Sequence, residues 1–213
     1  IRYVDTAREG HSVSDSDPPP AAHETKKKRG SHLKLVEKSS KNSLQSCDDG
    51  ILTLEKASIQ LANIENRNDV ATILTRLASQ MFKRTALFMI KGESALGWVA
   101  NVERKVVKNF DKFKISLEDP SILKTIVETK KNLVGPVPFS PLNSRILSSF
   151  GGSFQESAAL VPLIILGRVV AVLYVDGKNT HPIEYLLFKL QLVVAKAIMA
   201  LEILILKKKI LML

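Results

Sequence analysis

SAALVPLIILGRVVAVLYVDG, residues 157–177, is the stretch on which the reading of the fold turns. Two apolar runs, 158–166 and 169–175, flank Gly167-Arg168, the pattern of two strands joined by a tight turn with Gly at its first position. Nearly every residue in both arms is apolar. A strand that is apolar on both faces has to be covered on both, so this hairpin is expected at the centre of a sheet with helices over it. Pro162 lacks a backbone donor, which predicts a bulge or an unpaired edge at that position.

Downstream, His181-Pro182 is read as opening a long helix that runs to about Lys207. At about 100° per residue, Lys189, Lys196 and Lys207 share one narrow stripe, with Gln191 and Glu202 on roughly the opposite side. Two separate apolar faces lie between these stripes. One holds Leu186, Leu190, Val194, Ala197, Leu201 and Leu204; the other holds Phe188, Leu192, Ala195, Met199, Ile203 and Leu206. A helix on the surface of a domain needs only one such face. A membrane span is the obvious rival for so apolar a segment, but Lys189, Lys196 and Glu202 interrupt it, at roughly 2.5 to 3.5 kcal/mol each near a bilayer centre. The second face is therefore assigned to a homodimer of helices, parallel or antiparallel, with packing on the first helix as the alternative.

Upstream, 54–64 places Leu54, Ala57, Ile59, Leu61 and Ile64 loosely on one helical face. After a break at 65–68, Asn68 is read as capping a second helix that carries Val70, Ile73, Leu74, Leu77, Ala78 and Met81. The period then changes. Residues 85–90 and 95–102 form two strands joined by a turn through Gly92. Residues 106–115 alternate basic and apolar, which suits a strand or a lid-like loop. A helix is expected over about 120–130 with Pro120 in its first turn, and a shorter one over 141–150 closed by Gly151-Gly152.

The first 50 residues read differently. They are rich in Ser, Asp, Pro, Lys and His, with no sustained apolar period, and Pro18-Pro19-Pro20 favours an extended stretch. Such a composition buries too little apolar surface to offset the entropy of ordering, so 1–50 is read as a disordered linker or tail. The chain begins at Ile1 with no apolar leader, which suggests a piece of a longer protein with an upstream domain. The lone Cys47 cannot form an internal disulfide, and it fits a reducing, cytoplasmic setting.

The net charge of +10 is unevenly placed. Residues 1–50 hold nine Lys or Arg against eight Asp or Glu, and the remainder holds 22 against 13, so +9 belongs to the folded part. Solubility accounts for scattered surface charge of this kind, and a small anionic ligand is the partner class it admits. Nucleic acid is disfavoured, because no recognition helix or aromatic-basic stripe accompanies the charge.

No catalytic constellation emerges. Of four histidines, His11, His23 and His32 lie in the tail and His181 stands at a helix start, which leaves no Ser or Cys nucleophile with a base. The same scarcity leaves no set of three or four metal ligands. Gly151-Gly152 lacks the Lys-Ser/Thr of a phosphate loop. No cofactor is evident.

The order helix-helix, hairpin, helix, hairpin, helix, together with RTALFMIKGESALGWVAN at 84–101 and the hairpin at 157–177, resembles GAF domains, most closely those of bacterial multidomain signalling proteins. The resemblance covers about three-quarters of the chain and assigns 51–213 to a GAF-like domain. It implies an α+β fold: a central antiparallel sheet (profilin-like), the N- and C-terminal helices packed on one face, and a loop-covered pocket on the other. It also implies dimerisation through the terminal helices. The family's cyclic-nucleotide signature is not found in its order, and the bilin-type Cys is missing from the domain. The methionine-sulfoxide-reducing type needs several cysteines. For the pocket, the resemblance and residue chemistry nominate Trp98, Phe110, Phe113 and Tyr174 as lining. Arg104, Asp111, Asn143, Arg145 and Asp176 are its polar contacts. Two functions stay open: a non-catalytic sensory module with a small ligand in that pocket, or a ligand-free dimerising scaffold for an upstream domain. They differ in whether the space between the sheet and 104–150 is open or filled by the protein's own side chains.

Overall fold

A computed structural model describes residues 51–154, 158–178 and 183–212. The 1–50 tail, Ser157 and the His181-Pro182 helix start lie outside the described residues. The helices are α1 (Leu54–Ala62), α2 (Arg67–Met81), α3 (Ile122–Thr129), α4 (Pro141–Ser148) and α5 (Ile183–Ile210). The strands are β1 (Phe82–Lys91), β2 (Ser94–Val102), β3 (Lys105–Val106), β4 (Lys114–Ser116), β5 (Leu133–Gly135), β6 (Ala158–Ile165) and β7 (Arg168–Lys178).

One antiparallel sheet runs β3-β2-β1-β7-β6-β5, with β4 also paired to β2. The apolar hairpin occupies its middle, as both-face hydrophobicity requires: β7 is flanked by β1 and β6, and Val172, Leu173, Tyr174 and Val175 are fully buried. Alternate residues of β7 enter two cores. Leu173 and Val175 face α1, α2 and α5, while Val172 and Tyr174 face α3, α4 and the 104–150 segment. The fold is thus α+β, with the terminal helices together on one face.

Several local readings change. Asn66, not Asn68, caps α2: its Oδ1 accepts from the amides of Asn68 and Asp69 at 2.8 and 3.1 Å. Asn68 instead lies in the first turn and accepts a bond from the Trp98 indole. Ser121 caps α3, so Pro120 stands before the helix rather than in its first turn. Pro162 pairs with Val172 beyond the last residue of β6 matched to β5, Leu160, so its missing donor faces an unpaired edge. The register shift comes one residue later, between Leu163 and Ile164. The 106–115 segment is neither one strand nor a free loop. It folds back on β2 as β3, a 3-10 turn at Phe110–Lys112, and β4.

The β6–β7 turn also differs from the sequence reading. Its two residues are Leu166 and Gly167, with φ of +49° and +75°, so Gly takes the second place and Leu166 carries a left-handed backbone. Twisted strands favour this mirror-image turn, and its first place suits Asn or Gly. Leu166 is 83% exposed, so its side chain contributes little packing. Leu166→Asn is expected to raise stability by about 1 kcal/mol, the usual cost of a left-handed non-glycine residue. Urea unfolding of the two proteins checks this; an unchanged or lower midpoint contradicts it.

Candidate functional site

The face of the sheet under residues 104–150 is where a pocket was expected, and aromatic rings fill it. Phe88 of β1 lies at the centre, its ring centroid 5.3 Å from Phe110 and 6.2 Å from Phe150. Phe110 stacks on Phe113 at 6.1 Å, and Phe150 meets Tyr174 at 5.1 Å. Edge-on and offset contacts at these separations are favourable for aromatic pairs. Ile115, Leu123, Ile126, Ile146 and Leu147 close the remaining space. Gly97 permits the approach: a Cβ there would stand 2.0 Å from the Phe110 carbonyl oxygen, and the Gly97 amide donates to Phe113 O at 2.8 Å. The 3-10 turn is therefore seated on β2 by a glycine and wedged by a phenylalanine.

Beside the rings sits a buried charge pair. Arg84 Nε donates to Asp176 Oδ1 at 2.6 Å, and the Tyr174 hydroxyl donates to Asp176 Oδ2 at 2.6 Å. Asp176 is fully buried, and the Arg84 side chain is 11% exposed. Burial pushes the Tyr174 phenol far above its ordinary range; the charge of Asp176 and the bond to it add to the rise, while Arg84 opposes it. The phenol therefore stays protonated and serves as a donor. Arg84 and Asp176 occupy paired positions on β1 and β7, so strand register brings them together.

The nine residues nominated for one pocket are distributed over the domain. Phe110, Phe113 and Tyr174 share the aromatic core, with Asp176 next to Tyr174. Trp98 lies on the other face, packed toward α2 and α5, because the β1–β2 register shifts between Leu87 and Phe88. Arg104 is exposed in the β2–β3 turn, and Asp111 and Arg145 are also exposed. Asn143 is buried and spans two segments: its Oδ1 accepts from the Ile122 amide at 2.9 Å and its Nδ2 donates to Pro138 O at 2.9 Å. It borders a cleft of about 400 Å3 at the β5 edge, together with Ile122, Thr125, Leu133, Pro136 and Pro138. Phe88, Phe150 and Arg84 were not singled out from the sequence. A lone Arg inside the apolar run of β1 was the available signal for the last.

The α5 helix presents both apolar faces. Leu186, Leu190, Val194, Ala197, Leu201 and Leu204 are buried against α1, α2 and the sheet. Phe188, Leu192, Ala195, Met199, Ile203 and Leu206 are exposed; Phe188 is 69% and Met199 61% accessible. Among the described residues no three His, Cys, Asp or Glu gather as a metal site, and no helix is long and apolar enough to cross a membrane.

No family model matches the sequence, and no curated protein does. Solved structures do match. A segment of a methyl-accepting chemotaxis protein superposes with a TM-score of 0.57 at 14% identity, covering 71% of this chain and 97% of that one. The GAF domain/HD domain protein from Geobacter sulfurreducens gives 0.51 at 12% identity, over 68% and 98%. The phycoerythrobilin-bound GAF domain of a cyanobacterial phytochrome gives 0.55 at 10% identity, over 72% and 97%. Sheet order, the two hairpins and the terminal helices on one face agree with these matches: the part of this chain that follows residue 50 is a domain of the GAF-type fold.

Proposed function

We propose that this domain is a non-catalytic regulatory module of a multidomain signalling protein, and that it acts by pairing with a second copy along the exposed face of α5. That stripe carries the reading. Phe188 to Leu206 spans 18 positions over five turns, 3.6 residues per turn, so the six residues run straight along the helix. A straight apolar stripe on a helix of about 40 Å is complementary to its own copy about a two-fold axis. The aromatic filling beneath 104–150 supports the ligand-free form of this reading, a scaffold that brings attached domains together. The structural neighbours include a chemotaxis protein and a GAF/HD protein, which supports placing the module in a signalling chain, in a bacterial cytoplasm. Sedimentation velocity on the full chain is expected to show a dimer at tens of micromolar; a monomer there sinks the proposal.

One observation favours the second reading, a sensor. The cleft beside Asn143 has a volume within the range of small-molecule sites. Thermal unfolding against a panel of nucleotides and metabolites tests it. A ligand at a hundredfold its dissociation constant adds about 2.7 kcal/mol, and a flat panel from a folded dimer rejects the sensor in favour of the scaffold.

A further inference from the structure

On the helix face of the sheet, away from the aromatic core and from the cleft at β5, a second cleft of about 380 Å3 separates α2 from the β2–β3 edge. Thr75 and Arg76 form one wall, Val99 and Asn101 the other, and Arg104 and Val106 stand at its rim. Its lining includes no acidic side chain. Glu103 and Arg104 form the β2–β3 turn with φ of +49° and +66°, which fixes where the Arg104 side chain starts.

Asn101 is the residue that fold requirements do not explain. It is 5% exposed, it borders the cleft, and its side-chain amide makes no hydrogen bond. A buried amide without a partner is unfavourable, and an apolar β-branched residue would suit this strand position better. Its neighbour across β1, Thr85, is fully buried, and Thr85 Oγ1 is the one buried side-chain atom without a partner among the described residues. The hydroxyls opposite are already used: Thr75 bonds Ala71 O at 2.8 Å and Ser79 bonds Arg76 O at 2.7 Å within α2. The Asn101 amide thus points two donors and an acceptor into a cleft bordered by two guanidinium-bearing residues.

We infer that this cleft binds a small organic oxyanion, a carboxylate or phosphate monoester carrying a short apolar group. Guanidinium groups take either oxyanion through paired, charge-assisted bonds, and the Asn101 amide supplies a further donor in a partly dry setting. Val99 and Val106 offer contact for the apolar part. The +9 charge of the part beyond residue 50 raises the local concentration of anions. The site is separate from the exposed face of α5 and does not depend on dimerisation.

The test is 15N NMR on the full chain, titrated separately with valerate and with butyl phosphate. The side-chain amide signal of Asn101 is expected to move saturably with at least one of them, and which one distinguishes the two oxyanions. Arg104→Gln, on an exposed turn, is expected to weaken the response about tenfold, the loss of one charge-assisted bond. Asn101→Val is expected to abolish binding while thermal stability stays level or rises, because the amide serves the ligand rather than the fold. An Asn101 signal that stays flat through the millimolar range overturns the inference. So does a response spread over surface lysines, or binding that survives both substitutions. If Asn101→Val fails to fold, Arg104→Gln and the amide signal still decide.

Discussion

Asp176→Ala is expected to destabilise the domain by about 3–5 kcal/mol, the loss seen when one partner of a buried ion pair is removed. The reason is what remains. Arg84 would keep a full positive charge on a side chain 11% exposed, without its 2.6 Å partner, and its Nη1 contact to Gly151 O at 3.4 Å is too long to compensate. Tyr174 would lose the acceptor for its hydroxyl at the same time. Small domains are stable by about 5–15 kcal/mol in total, so the variant should unfold at far lower urea or lie near its midpoint in buffer. Replacing both members, Arg84→Met with Asp176→Leu, is expected to recover most of the loss, because an apolar pair removes the stranded charge as well as the bond. Equilibrium urea unfolding of the two variants measures both effects. A single-variant loss under about 1 kcal/mol would mean that Asp176 is solvated in solution and that the buried network is not what ties β1 to β7.

That network also marks where sequence reasoning stopped. Periodicity is local information, and it located both hairpins, α2 and the two faces of α5. For α5, lysines at 189, 196 and 207 set a polar stripe that divides the apolar residues unambiguously, and burial follows the division. Arg84 and Asp176 are 92 positions apart, and their meeting depends on β7 lying beside β1, which no turn between neighbouring strands dictates. Asp176 therefore read as a turn residue or a ligand contact. Trp98 was grouped with Phe110 because both are aromatic; a one-residue register shift placed them on opposite faces. The filled pocket escaped for a related reason. Phe88, Phe110 and Phe150 come from three separate segments, and only the folded chain makes them one cluster.

The second large effect concerns association. Met199→Glu is expected to raise the dimer dissociation constant at least a hundredfold while leaving the stability of the protomer within about 0.5 kcal/mol. Met199 stands near the middle of the exposed stripe, with Ala195 one turn before it and Ile203 one turn after. In a two-fold pairing of α5 helices, each substituted residue would place a carboxylate between apolar side chains of both copies. The desolvation of two charges, several kcal/mol in effect, far exceeds the dispersion lost with the thioether. Glu propagates a helix about as well as Met, and the position is 61% exposed, so neither helix propensity nor core packing is disturbed in the protomer. Lys196, three residues earlier, can neutralise the new charge only by leaving water itself, which moves the cost without removing it. Two comparisons separate the interface from net charge. Met199→Leu keeps the stripe apolar and should keep the dimer. Lys108→Ala lowers the net charge by the same one unit at an exposed loop and should also keep it. Sedimentation velocity across a dilution series reads all three. Should Met199→Glu remain dimeric while the protein is folded, the copies meet elsewhere, and the exposed face of α5 must then be the contact for another part of the signalling chain.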